Sequence, residues 1–495
     1  GRQAPWGRPI GLLPGSELGL AEAYLYDDFD IEGDIEAVFA LADALAEATG
    51  GWRRKLWAAR ELLRLPAGER ERRGRRGRAR LSGQRHSVER DRQAVTYHYD
   101  VSNDFYALYL DRRMVYSCAY FRSADDDLDT AQERKLDYIC RKLRLRAGQR
   151  LLDLGCGWGG LVMHAAAHYG VDATGITLSR PQAELANERI AAAGLAGRCR
   201  VQVRDYREVD EPEAYDALAS VGMFEHVGAA LLPGYFDRAR RLLRPGGVFL
   251  NHGIANRAGS GRQKGPSFSD TYVFPDGELV PINVTLHAAE EAGFEVRDVE
   301  SLREHYALTL RHWVRRLEAR HEEALRTVDE PTYRVWRLFM AGSAHGFAVG
   351  RLNVYQALLV KPDACGRSGL PLERSDWYNA QSYTPSGRHD CLARPTCSRL
   401  EQWPKGDLSR LYPKLMSGSE HLLAQGECLP FTLLDFWRWS CSDLVSNATR
   451  GRLAEFIVAT ALGISFLVGR GEWRDLHLIP TGRAPASVRT VATRQ

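Results

Sequence analysis

The sequence predicts an α/β fold: a mostly parallel sheet with helices on both faces, a small mainly helical N-terminal domain and a C-terminal extension. Three observations predict it. Between Val95 and Pro362, strand-like and helix-like runs alternate, as in a parallel sheet covered on both sides. The run Leu151–Gly160 (LLDLGCGWGG) reads as a buried strand, a tight turn and a helix start. The turn Arg244-Pro245-Gly246-Gly247 stands just before a further strand. A chain of 495 residues with 44% apolar content has room for two or three domains and a sizeable core.

In chain order, residues 1–63 read as the N-terminal domain. Ser16–Ala48 carries Ala, Leu and Glu at helical spacing, interrupted by an acidic turn at Asp27–Asp34, with Asp34 placed to cap a helix from Ile35. Residues 64–94 read as a solvated, flexible linker, with eleven Arg against four acidic residues between Arg64 and Arg92. The domain at 95–362 has strand candidates at 151–154, 171–176, 200–204, 217–221 and 248–254. Helical runs occupy 180–193 and 230–243, and 300–326 reads as one long amphipathic helix. Residues 363–495 change texture, with many Pro, Ser and Arg and five of the nine Cys.

Composition narrows the setting. A net charge of +4 names no partner by itself. The Cys contain no C-x-x-C pair, which argues against zinc and against a secreted disulfide framework and suits a reducing cytosol. No metal site is expected. No run is apolar enough to span a bilayer, and no secretory signal is visible. The chain opens on Gly1 rather than Met, so a native start further upstream is left open.

In an open parallel sheet, ligands bind at the carboxyl ends of the strands. Five motifs fall there in order: Gly155, Gly157 and Gly159; Thr177 to Gln182; Asp205-Tyr206; Ser220–Val227; and Asn251–Ile254. Alone, the glycine run is a plain strand–turn–helix; five such segments in order favour a ligand site. The spacing is not the dinucleotide fingerprint. An acid, Asp153, two residues before the first glycine resembles the S-adenosylmethionine (SAM) methyltransferases. A cluster of aromatic residues at 97–106 and 116–121 reads as core packing or as a lid, and aromatic faces attract cations such as a sulfonium.

Val95 to about Pro362 resembles the cyclopropane fatty-acid synthase family of SAM-dependent enzymes. The resemblance rests on HYDVSNDFY, YSCAYF, LDLGCGWGG, GITLSRPQ, VGMFEHVG, FPDGEL and ESLREHYALTLRHW, in that order. The segment Pro14–Phe39 is similar to the extra N-terminal domain of members that act on phospholipids. The resemblance implies a Rossmann-like class I SAM methyltransferase sheet. It implies transfer of a methylene group across a cis double bond of an unsaturated phospholipid acyl chain, giving a cyclopropane. SAM and bound bicarbonate are the implied cofactors. The implied base-site residues are Cys118, Glu225, His252, the backbone of Ile254, and Tyr306. Tyr116, Ser117, Asp153, Gly155, Gly157, Gly159, Thr177, Gln182, Asp205 and Tyr206 are the implied SAM contacts. Taken singly, Cys118 is more often a buried hydrophobe and His252 a strand-end residue with a satisfied hydrogen bond.

A cytoplasmic enzyme that docks on a membrane surface is the implied setting, with a homodimer as the implied assembly and no specific nucleic-acid partner. The alternative product is a methyl-branched or hydroxylated chain, made where the base is misplaced. A SAM- or lipid-binding protein without turnover, and a nucleic-acid protein built on the Arg-rich stretch, are the readings from other classes. The family ends soon after residue 362. Beyond it, Ser442–Ala461 with Glu455 and Asp475 is faintly similar to PD-(D/E)xK nuclease-like proteins but lacks an E-x-K strand, so an incomplete domain is expected there.

Overall fold

The computed structural model describes residues 17–48, 77–99, 101–259, 267–378, 421–424 and 427–432. Those from 17 to 378 belong to one compact unit. A second unit begins at Arg388, and within it only a hairpin, His421–Ala424 paired with Glu427–Thr432, is described. The nuclease-like segment lies outside the described residues.

The first unit is built on a seven-stranded sheet. Its strands are β1 (Arg150–Leu154), β2 (Asp172–Thr177), β3 (Cys199–Val203), β4 (Tyr215–Val221), β5 (Leu243–Asn256), β6 (Glu295–Ser301) and β7 (Leu352–Val360). Their order is β3-β2-β1-β4-β5-β7-β6, and β7 runs antiparallel to both neighbours. Helices α6 (Gly160–Tyr169), α7 (Arg180–Ala192) and α8 (Leu232–Leu242) connect the parallel strands. The order reverses between β1 and β4, which opens a crevice at their carboxyl ends. Register then sets the neighbours: Val221 of β4 lies beside His252 of β5, and His252 lies opposite Gln356 of β7.

The five expected strands are present, within five residues at each end. The sequence reading assigns no strand at β6 or β7, although β7 (LNVYQALLV) is a buried apolar run. β6 is a charged strand (EVRDVES) at the sheet edge, where both faces tolerate polar residues. The long helix expected over 300–326 is three elements: the end of β6, α11 (Arg303–Glu318) and α12 (His321–Thr327). Leu302 and Arg320 leave helical geometry at the two breaks. The breaks let Leu302, Leu317 and Ala324 all reach one core, a demand that periodicity in one dimension does not display.

The sequence reading gives residues 1–63 a domain of their own. In the described part, α1 (Glu17–Leu25) and α2 (Ile35–Ala48) share a core with α11 and α13 (Glu330–Ala348), through Tyr24, Ile35, Trp336 and Met340. Asp34 does cap α2, accepting the Glu36 amide at 2.9 Å. The expectation of a flexible linker through residue 94 is corrected in its second half. From Gly77 the chain lies on the sheet domain, and α3 spans Val88–Tyr99. Its arginines are fixed by carboxylates: Arg78 to Glu22 at 2.6 Å, and Arg90 to Asp276.

Residues 363–378 also belong to this unit. Trp377, in α14 (Ser375–Tyr378), is 4% exposed in the core beneath β7, with Lys142 5.6 Å and Arg374 5.4 Å from its ring. Trp377→Ala is expected to cost about 3–5 kcal/mol, read as a lowered denaturant midpoint. An unchanged midpoint would mean that this segment merely rests on the surface.

Candidate functional site

Two adjoining cavities open at the carboxyl ends of β1, β2 and β4 and share Tyr99, Gly155, Gly157, Gln182 and Gly222. Gly155 sits at φ +87°, and a Cβ there would fall 2.6 Å from Met223 Cβ. The turn therefore admits only glycine. A Cβ on Gly157 would meet open space, so the backbone itself faces the cavity. Gly159 is not among the cavity-lining residues: it caps α6 and packs toward Ala186 and Val201. Of the implied SAM contacts it is the one the structure sets apart.

One cavity is lined by Thr177, Gln182, Asp205 and Tyr206. Thr177 Oγ1 donates to Gln182 Oε1 at 2.8 Å, which fixes both side chains. The Asp205 carboxylate accepts from the Arg207 guanidinium at 2.7 and 2.8 Å. Arg207 also donates to Asp91 at 2.9 Å and to the His86 carbonyl at 3.0 Å, tying α3 across this end. Burial raises the Tyr206 phenol to about 12 and lowers the cavity-lining His226 to about 4, so both are neutral near pH 7.

The other cavity is lined by Tyr116, Ser117, Lys135, Asp153, Gly155 and Gly157. Tyr116 and Ser117 lie on the loop between α4 (Asn103–Tyr109) and α5 (Leu128–Lys142); the Tyr116 ring stacks on Trp313 at 5.1 Å. Asp153 is 2% exposed, and its Oδ1 has no hydrogen-bond partner among the described residues. Burial raises its carboxyl to about 7 against the pull of Lys135, and burial lowers Lys135 to about 8.

Among the implied base residues, Tyr306 has both Cys118 and Glu225 within electrostatic reach, and His252 stands two residues before Ile254 on β5. Glu225 sits in the short turn Phe224–His226, and its Oε1 accepts the Ile254 amide at 2.7 Å. The Ile254 backbone donor is thus spent on holding Glu225. Glu225 Oε2 is buried without a partner among the described residues, and burial raises the carboxyl to about 7. His252 is 1% exposed and held neutral by burial. Gln356 Nε2 lies 3.2 Å from its Nδ1; with the amide nitrogen donating, the ring proton belongs on Nε2, which has no other partner among the described residues. The Cys118 thiol is buried, its pKa raised by desolvation, and lies 3.7 Å from the Leu302 carbonyl. Leu302 in turn bonds Val354, the β7 partner of Ile254. Tyr306, on α11, lies within electrostatic reach of Cys118, Glu225, Tyr116 and Tyr99, and burial keeps its phenol protonated.

Lys135, Gln356, Arg207 and Asp91 are the residues the sequence reading missed, while Tyr99 belongs to the aromatic cluster read there as packing or a lid. Gln132-x-x-Lys135 does place two polar groups on one face of α5, and both bond Ser117: Gln132 its carbonyl, Lys135 its hydroxyl, each at 2.8 Å. Nothing in the sequence pairs Gln356 with His252, because that contact is made by strand register.

The switch-point crevice, its glycine turn and the acid on β1 define a class I SAM-dependent methyltransferase. Residues 86–357 match the family described as Mycolic acid cyclopropane synthetase, and the chain belongs to it. It is 49% identical over 296 residues to a probable fatty acid methyltransferase of Pseudomonas putida, covering 59% of this chain and 75% of that one. With a second probable fatty acid methyltransferase, from Mycobacterium tuberculosis, the identity is 39% over 372 residues, covering 73% and 86%. The crystal structure of mycolic acid cyclopropane synthase CmaA1 complexed with SAH and CTAB superposes with a TM-score of 0.52 at 35% identity, over 54% of this chain and 97% of that one.

Proposed function

We propose that this enzyme transfers a methylene group from SAM to a cis double bond of an unsaturated phospholipid acyl chain, closing a cyclopropane ring. The observation that carries this reading is a set of polar side chains in the core, buried Glu225, His252 and Cys118 and partly buried Tyr306, with Glu225 just past the cavity-lining Gly222 and Met223. A methyltransferase that only passes a methyl group to a strong nucleophile needs no such polar group in its core. Here the nucleophile is a π bond. Its electrons form a bond to the methyl carbon, the S–CH3 bond breaks, and a carbocation remains on the chain. One proton must then leave the new methyl group so that its C–H electrons close the ring. Placement and exclusion of water dominate the barrier.

The free Glu225 Oε2 and His252 Nε2, with the neutral Cys118 thiol, fit a small oxyanion. These residues would hold a bicarbonate, which when bound would supply a base for the departing proton. Glu225 would hold that anion by a hydrogen bond when protonated and would repel it when ionised. His252 donates from Nε2, and Gln356 fixes that tautomer.

The phospholipid surface is part of the same proposal, as are membrane docking from the cytoplasmic side and a homodimer. Among the described residues no helix is long and apolar enough to cross a membrane; in this reading the acyl chain is drawn from the bilayer to the crevice. The second reading is methyl branching, favoured by the names of the two fatty acid methyltransferase relatives.

Incubation with SAM and vesicles of a cis-monounsaturated phospholipid, followed by mass spectrometry and NMR of the released fatty acids, tests both. A gain of one CH2 with ring protons is the expected result. The same gain with the alkene retained selects methyl branching, and no gain despite bound SAM overturns lipid methylation. Activity in bicarbonate-depleted buffer is expected to rise on adding bicarbonate; a flat response removes bicarbonate as the base.

A further inference from the structure

We propose that Lys135 is the counter-ion of the SAM carboxylate, so that the amino-acid end of the cofactor is read by charge as well as by hydrogen bonds. The inference rests on the SAM site described above. Lys135 projects from α5 and is 1% exposed. Its Nζ donates to Ser117 Oγ at 2.8 Å, and it forms no ion pair with a carboxylate among the described residues. Asp111, whose field it feels, is already engaged by the amides of Arg113 and Val115 at 2.9 and 2.8 Å. An ammonium taken out of water with one neutral partner carries a large desolvation penalty. Such a group persists where a ligand completes it.

The cavity that Lys135 lines offers the missing charge a place. Ser117, Lys135, Asp153, Gly155 and Gly157 share its wall. The unpartnered Oδ1 of Asp153 stands in the same cavity. A buried ammonium and a buried carboxyl that form no ion pair with each other match the two ends of an α-amino-acid zwitterion: its ammonium toward Asp153, its carboxylate toward Lys135. The adenine and ribose are left to the adjoining cavity of Thr177, Gln182, Asp205 and Tyr206. The loop carrying Ser117 is pinned by Gln132 and Lys135 together, so the lysine also positions a hydroxyl that reaches the same carboxylate.

The test separates a charge contact from a purely structural one by changing the ligand rather than only the protein. S-adenosylhomocysteine carries the carboxylate; 5′-methylthioadenosine keeps the nucleoside and sulfur and lacks the amino-acid head. Calorimetric titration of the full chain at pH 7 is expected to give Lys135→Met a 10- to 100-fold weaker affinity for S-adenosylhomocysteine and a less than twofold change for methylthioadenosine. Lys135→Gln, which retains a donor for Ser117, is expected to behave alike. Equal losses for both ligands, or no loss for either, overturn the proposal. If neither ligand binds the wild-type protein, the SAM site itself is wrong.

A measurement on the wild-type chain covers the case in which both variants fail to fold. Seven lysines give a simple spectrum when labelled at Cε. The resonance of the lysine titrating near 8 is expected to move on adding S-adenosylhomocysteine and to stay on adding methylthioadenosine. Its moving equally with both, or with neither, overturns the assignment.

Discussion

Glu225→Gln is expected to lower turnover by about 10²- to 10⁴-fold, the range typical of a lost acid–base group, while SAM affinity changes little. The carboxyl lies outside the residues lining the two cavities, so cofactor binding does not depend on it. The same substitution is expected to stabilise the protein above neutral pH. In the folded state burial raises the carboxyl from 4.5 to about 7, so the native protein binds a proton that the unfolded chain has released. Between those values, stability falls as pH rises. The full penalty, about 3 kcal/mol at 1.36 kcal/mol per unit, is present above pH 7 and vanishes below 4.5. The variant removes it, so its unfolding midpoint should exceed wild type at pH 8 and match it near pH 4.5. A variant equally stable at both pH values would mean that Glu225 is better solvated than this structure has it. A loss of SAM affinity matching the loss of turnover would mean that the residue serves the cofactor.

Gly253→Ala is expected to be among the most damaging single-methyl additions in the chain. A Cβ there would lie 1.8 and 2.1 Å from two carbons of the Phe224 ring. Gly253 is flanked by His252 and Ile254 on β5, and Phe224 is flanked by Glu225. Overpacking of this kind costs about 1–3 kcal/mol or more, and relief by moving Phe224 drags Glu225 off the Ile254 amide. Turnover should therefore fall at least 100-fold, together with a lowered melting temperature. Adding Phe224→Leu should return much of the lost stability but little of the activity, because the turn that aims Glu225 was shaped around the aromatic ring. Full activity in Gly253→Ala would show that the position of Glu225 is not critical.

Legibility in the sequence divided along physical lines. The parallel strands and the glycine turn were readable because each is a local demand: an apolar run to bury, a backbone angle only glycine adopts. The segment Phe224–His226 and the acid on β1 followed in register from those strands. Polar edge strands carry no such signal, so β6 was invisible and its end was absorbed into a helix. The Arg-rich stretch was misread in its second half because its partners, Glu22 and Asp276, are 56 and 186 residues away from the arginines they fix. Composition counts charges; it does not say which of them meet.

By itself the sequence determined the fold class and the cofactor class, and it named polar groups that the structure then buries. The tertiary structure decided what those groups do to one another. Desolvation, not residue type, brings Glu225 and Asp153 to about 7. Strand register sets Gln356 against His252, and helix packing carries Lys135 to the cavity wall. Periodicity and turn chemistry act over a few residues and are written in order along the chain. Burial and long-range pairing exist only once distant segments close around the same space.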